Sequence, residues 1–184
     1  THDENRLTQV VEKENGVTQS STYFVWCGDE RCEERGADGA TVTKRFFGAG
    51  VLEGASKYYY ARDHLGTVRE MTDQSGAVRA RYEYDPYGRQ TKLSGDKDAL
   101  FAFTGQQSHA PSGLYYYRAR YYDPKIGRFV SADPVGIQGG ANYYAYVLNN
   151  PIVYLDPLGL TAADSTSAPG SPGPTPSPTP YPPN

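Results

Sequence analysis

The sequence predicts an all-β protein followed by a structureless tail, and three observations carry that prediction. Short alternating runs rich in Val, Thr and Tyr recur up to residue 160. Twenty glycines, set against few helix-favouring runs, imply many tight turns. From Thr161 the composition changes: TAADSTSAPGSPGPTPSPTPYPPN holds eight of the 14 prolines and almost no apolar residues. Such a segment favours extended polyproline II over packing. The apolar share is modest at 38%, with 17 tyrosines supplying much of the bulk. A Tyr ring buries well but its hydroxyl wants a partner, so half-wet sheet faces suit it better than a dry core.

The chain opens with a turn expected at His2–Asn5, where Asn tolerates the left-handed conformation, and a strand-like run to Val11. Strands are predicted at Thr22–Cys27, Arg31–Arg35 and Ala40–Phe47, with hairpin turns at Gly28-Asp29 and Asp38-Gly39. Cys27 and Cys32 flank the first of these turns. They could pair across it, but without a nearby His they make a poor metal site. The simpler expectation is two small, half-buried residues.

A clearer period follows. Tyr58–Arg62 runs into Asp63-His-Leu-Gly66, Thr67–Thr72 into Asp73-Gln-Ser-Gly76, and Ala77–Tyr84 into Asp85-Pro-Tyr-Gly88. Each unit is a strand closed by D-x-x-G, at ten- to twelve-residue spacing. The Asp caps backbone N–H groups and the Gly takes the left-handed position. Such a unit buries no face alone, so its copies must pair into one sheet.

Leu93–Ala99 reads as a polar loop, Leu100–Thr104 as a strand and His109–Gly113 as a turn. Leu114–Tyr122 alternates Tyr and Arg and is predicted as one strand, packed on one face and wet on the other. Ala141–Asn149 is the one helical candidate. The stretch from Tyr115 to Leu160 also carries three Asp-Pro steps, at Asp123, Asp133 and Asp156.

Several functions are disfavoured. The net charge is −3 with both signs interspersed, which gives no footprint for nucleic acid or an anionic membrane. No apolar run approaches the roughly 20 residues needed to span a bilayer. The chain shows no signal peptide and no initial Met, so it reads as a piece of something longer. His2, His64 and His109 are scattered without metal or triad spacing. Gly139-Gly140 lacks a phosphate-binding signature, and the acidic turns lack the oxygen spacing of a calcium loop. No metal or cofactor is expected, and the Tyr stripes read as packing rather than a sugar platform.

YYYARDHLGTVREMTDQSGAVRARYEYDPYGR, GLYYYRARYYDPKIGRFVSADPVG and NYYAYVLNNPIVYLDPLGL closely resemble the Rhs repeat-associated core. That module ends the Rhs/YD-repeat shell of bacterial Rhs polymorphic toxins and Tc-toxin C subunits. The resemblance covers nearly all of residues 1–160. One departure is Gln106–Gly113 (QQSHAPSG), where many relatives carry an acidic residue before the turn, a change expected to matter little.

The resemblance implies a β-ribbon that spirals around a C-terminal toxic segment and ends in a plug. That plug acts as an intramolecular aspartic protease. Residue by residue, the carboxylates would be Asp133 and Asp156, the supporting Arg would be Arg120, and the cut would fall between Leu160 and Thr161. Implied domains are terminal repeats over 1–56, the core over 57–160 and a disordered tail or linker over 161–184. Implied partners are upstream shell repeats of the same chain, a C-terminal toxin segment as in relatives, and secretion-apparatus or Tc-toxin subunits. The protein would be secreted or delivered at the cell surface.

The chemistry is coherent. Hydrolysis by carboxylates needs one as base toward water and the other, protonated, as donor to the carbonyl oxygen. Asp133 and Asp156 each begin a D-P-x-G turn, and two such turns at one end of a sheet could meet. An Arg nearby would orient a carboxylate or stabilise the oxyanion. The tether supplies the substrate at high effective concentration. The D-P-x-G turn also has a plain structural use, and Arg120 could pair with Asp123 instead. The alternative is therefore a non-catalytic YD-repeat plug or binding module, for adhesion or carbohydrate contact.

Overall fold

The computed structural model describes residues 6–28, 30–136 and 142–160, together with the backbone of 163–164. The turn expected at His2–Asn5, Gly139-Gly140, and the tail apart from those two residues lie outside this set. Among the described residues nine strands form one antiparallel meander in strict chain order. They are β1 (Gln9–Glu14), β2 (Val17–Cys27), β3 (Glu30–Arg35), β4 (Val42–Phe47), β5 (Gly50–Glu53), β6 (Ser56–Arg62), β7 (Val68–Asp73), β8 (Val78–Tyr84) and β9 (Gln90–Ser94). A second sheet holds β10 (Gln107–His109), β11 (Leu114–Tyr117), β12 (Arg120–Asp123) and β13 (Arg128–Phe129). A short third pairs β14 (Tyr154–Leu155) with β15 (Ala163–Asp164). The fold is all-β, and no described helix is long and apolar enough to cross a membrane.

The D-x-x-G turns work as their residue types demand. In each, the Asp Oδ1 accepts the N–H groups two and four residues on: Leu65 and Thr67 at Asp63, Ser75 and Ala77 at Asp73, Tyr87 and Arg89 at Asp85. The fourth residue donates its N–H back to the Asp carbonyl with positive φ. The first sheet also contains elements beyond those predicted. Asn15-Gly16 turns β1 into β2, a standard two-residue hairpin loop, and β5 enters and leaves by two-residue turns. Cys27 and Cys32 are joined as a disulfide across the β2–β3 turn, with Cα atoms 5.7 Å apart, rather than standing as separate thiols.

Three expectations fail beyond Ser94. Leu100–Thr104 does not form a strand; it makes one bridge at Phe101 and then a 3-10 turn, Phe103–Gly105, with left-handed Thr104 at its centre. Ala141–Asn149 does not form an α-helix; its described part is turns, a bridge at Ala145 and a 3-10 turn, Val147–Asn149, whose three residues all have positive φ. Left-handed backbone costs each such residue about 1–2 kcal/mol, and burial of Tyr146 and Val147 offsets it. Finally, Leu114–Tyr122 is two strands. Arg118, at φ 59°, and Ala119 form a tight turn between β11 and β12, pairing Tyr115 with Tyr122 and Tyr117 with Arg120.

That turn positions the site. In a single strand, Arg120 would point away from Tyr117, because side chains alternate. A two-residue reversal shifts the parity, so Arg120 joins Tyr115, Tyr117 and Tyr122 on the inner face. There the core forms from Ala102, Phe103, Tyr115, Tyr117, Tyr122, Phe129, Tyr146 and Val147. These tyrosines are fully buried, contrary to the half-wet expectation, because each hydroxyl finds a partner. Tyr115 and Tyr122 donate to the Gly88 and Tyr87 carbonyls at 2.8 and 2.7 Å, and Tyr117 meets Thr104 and Tyr146 at 2.7 and 3.1 Å. Burial holds the Tyr117 hydroxyl well above its ordinary pKa and pushes Tyr146 up to about 12.

Candidate active site

Arg120 opens β12 with its guanidinium stacked 3.6 Å over the Phe129 ring. It is buried, and its three nitrogens divide their work. Nε donates to the Gly159 carbonyl at 2.6 Å and Nη1 to the Tyr143 carbonyl at 3.0 Å. Nη2 reaches Asp133 Oδ2 at 2.8 Å and Asp156 Oδ2 at 3.4 Å. The three residues singled out by the resemblance thus meet at one nitrogen, although they come from three separate segments. Arg120 does not pair with Asp123, whose Oδ1 instead accepts the Lys125 N–H. Nor does it hold one carboxylate bidentately; a single nitrogen bridges two.

Both carboxylates are buried, Asp133 at 9% and Asp156 at 3% exposure. Burial disfavours the charge of Arg120 and lowers its pKa, while the two carboxylates act the other way. Asp133 sits in a turn held by its own carbonyl accepting Gly136 N–H, its Oδ1 accepting Val135 N–H, and its N–H donating to Tyr143 O. Asp156 follows β14 directly, and its Oδ1 accepts the Leu160 N–H at 2.9 Å. The chain from Asp156 to Leu160 is therefore folded against the Arg120 hairpin. Ala119 N–H also donates to Leu158 O at 3.1 Å. Leu160 is described; Thr161, across the bond of interest, lies outside the described residues.

Sequence reasoning missed the partners that complete this arrangement. Tyr143 contributes only a carbonyl, for which side-chain identity gives no signal. Ala119 and Phe129 become legible once RAR is read as a turn between YYY and YYD. Among the described residues, no cluster of His, Cys, Asp and Glu is suited to hold a metal ion. Chemically, the site offers two buried carboxylates, a bridging cation and a peptide segment pinned beside them.

The teneurin YD-shell family matches residues 51–152. The chain is 40% identical over 156 residues to the tRNA3(Ser)-specific nuclease WapA of Bacillus spizizenii, covering 81% of this chain and 6% of that protein. It is 33% identical over 132 residues to double-stranded DNA deaminase toxin A of Burkholderia cenocepacia, covering 67% of this chain and 9% of the relative. It is 40% identical over 102 residues to toxin protein Tse5 of Pseudomonas aeruginosa, covering 55% and 8%. The chain thus spans less than a tenth of each of these relatives. The Photorhabdus luminescens Tc holotoxin pore superposes with TM-score 0.61 at 22% identity, over 88% of this chain and 10% of that one, and shares the fold. The chain belongs to the teneurin YD-shell family, as an Rhs/YD-repeat module of the type found in toxin proteins.

Proposed function

We propose that this chain is the end module of a toxin-enclosing Rhs/YD shell and cuts its own backbone once, between Leu160 and Thr161. The observation that carries the reading is the shared contact of Asp133 and Asp156 with one buried Arg120 nitrogen, beside a segment whose Gly159 carbonyl the same Arg120 holds. One carboxylate takes a proton from water as the water adds to the Leu160 carbonyl. The other, protonated, donates to the carbonyl oxygen; the first then passes the proton it gained to the departing Thr161 amine, while the other recovers its own from the collapsing diol. Arg120 keeps the two carboxylates together in a setting where their charges would otherwise repel. The tether makes the reaction first order and limits it to one turnover. Upstream shell repeats of the same chain, a C-terminal passenger and a secretion or Tc-toxin apparatus are the partners this role requires. Delivery outside the producing cell is the corresponding location. Within the module, 1–56 serves as terminal repeats, 57–160 as the cutting core and 161–184 as the released or linking segment.

A second reading has one specific observation in its favour. Asp156 caps the Leu160 N–H as Asp63, Asp73 and Asp85 cap theirs, so the site can be a buried version of the repeat turn in a non-catalytic plug. The two readings separate on the full-length protein with Asp133→Asn or Asp156→Asn. The proposal expects the parent to split and both variants to stay whole by intact mass. Equal cleavage of all three, or none in the parent, leaves the structural plug.

A further inference from the structure

Resting on the self-cleavage reading, we infer that Gln106 is a positioning residue for the cut. With the Ala119 amide and Arg120, it fixes the register in which the chain meets the carboxylates. Three consecutive carbonyls are held from two places, Gln106 and the β11–β12 hairpin. Gln106 Nε2 donates to Pro157 O at 3.4 Å, Ala119 N–H to Leu158 O at 3.1 Å, and Arg120 Nε to Gly159 O at 2.6 Å. The next carbonyl, that of Leu160, receives no donor from the described residues, while the Leu160 N–H is tied to Asp156. The turn is thus held up to the residue before the proposed cut, and the backbone is held again where β15 pairs with β14. The Asp156–Leu160 turn keeps its own shape through Gly159 N–H on the Asp156 carbonyl and Leu160 N–H on Asp156 Oδ1, so the outside donors fix where the turn sits against the hairpin. A slip of one here would bring a Cβ to the place of Gly159, where it would meet the Tyr117 carbonyl at 2.5 Å.

Gln106 stands on a built support. Its N–H donates to Phe103 O and its carbonyl accepts from Ala102, closing the 3-10 turn. Thr104 in that turn is bound to Thr67 and Tyr117. Ala119 acts through its backbone, and Arg120 also holds both carboxylates. The side chain of Gln106 is thus the one member of the clamp that can be changed without touching the carboxylates.

The test uses the full-length protein and follows the rate of the Leu160–Thr161 cut by intact mass from pH 7 to pH 4. Loss of one neutral hydrogen bond predicts that Gln106→Ala cuts roughly three- to tenfold slower than the parent, by the same factor at every pH. Gln106→Glu can donate only when protonated. Its rate relative to the parent should therefore be low at neutral pH and recover as the pH falls toward about 4.3. A packing role alone would give both variants ratios independent of pH. Parent-like cutting by Gln106→Ala, or a flat ratio for Gln106→Glu, overturns the inference. If the parent itself is never cut, the reading of function falls. The clamp is then judged by hydrogen exchange at Leu158–Leu160: faster exchange in Gln106→Ala upholds it, and unchanged exchange removes it.

Discussion

Asp156 shows how one residue type serves two ends in this chain. Asp63, Asp73 and Asp156 all spend Oδ1 on a backbone N–H four residues on, and all present Oδ2 to an Arg. For Asp63 and Asp73 that Arg lies six residues along the next strand, with side chains of Arg69 and Arg79 at 43% and 31% exposure. Solvent screens such pairs, and they contribute little beyond closing the turn. For Asp156 the partner is the buried Arg120 of another segment, already engaged by Asp133. Gly159 sits in the same turn as Asp156. It has φ 70° and no room for a Cβ beside the Tyr117 carbonyl. Gly159→Ala should therefore lower stability by about 1–3 kcal/mol and stop the cut, checked by thermal melting and intact mass. Neither role is visible in the letters D-P-x-G, which also stand at exposed Asp85. The grouping of Asp133, Asp156 and Arg120 was legible only through resemblance, because no local pattern joins three segments so far apart in sequence.

At the scale of elements, what was legible follows what is local. The D-x-x-G turns and their strands could be read because an Asp and a Gly at fixed spacing determine the turn by themselves. The β11–β12 turn could not, since Arg118 adopts a left-handed backbone with no Gly or Asn to announce it. The reason lies in the core it feeds: reversing there places Tyr115, Tyr117, Tyr122 and Arg120 on one face. The helix predicted over Ala141–Asn149 gives way to the Val147–Asn149 turn on the same grounds, with tertiary burial overriding local preference. The buried hydroxyl chain linking Thr104, Tyr117 and Tyr146 ties the 3-10 turn below Gln106 to this hairpin. Tyr117→Phe keeps the ring but removes the hydroxyl that bridges half-buried Thr104 and buried Tyr146. A loss of about 1–3 kcal/mol is expected in denaturant titrations, with cutting slowed less than by either Asn variant.

For the whole molecule, the meander grows by adding neighbours, and among the described residues β1 is paired on one side only. An unpaired strand edge is a template for association. Residues 1–184 alone are accordingly expected to self-associate, and a clean monomer on gel filtration would contradict this. Acid should loosen the fold. Thr41 and neighbouring amides lower the Asp38 carboxyl to about 2, and Asp73, Asp96 and Glu33 are lowered by their hydrogen-bonded partners. Carboxylates depressed in the folded state add stability above their unfolded values, near 4, and that stability is lost as the pH falls toward the folded values. The melting temperature should thus decline from about pH 4 toward pH 2, as thermal melts across that range would record.

A single cut made in cis is read from intact mass of the full-length protein followed over time at neutral pH. Neutral conditions matter because Asp-Pro bonds break in acid and would yield other fragments. Self-cleavage should yield one new C-terminal product beginning at Thr161, formed at a rate that does not change on dilution, and absent in Asp133→Asn and Asp156→Asn. A chain that stays whole, a cut elsewhere, or a rate that rises with protein concentration would contradict it.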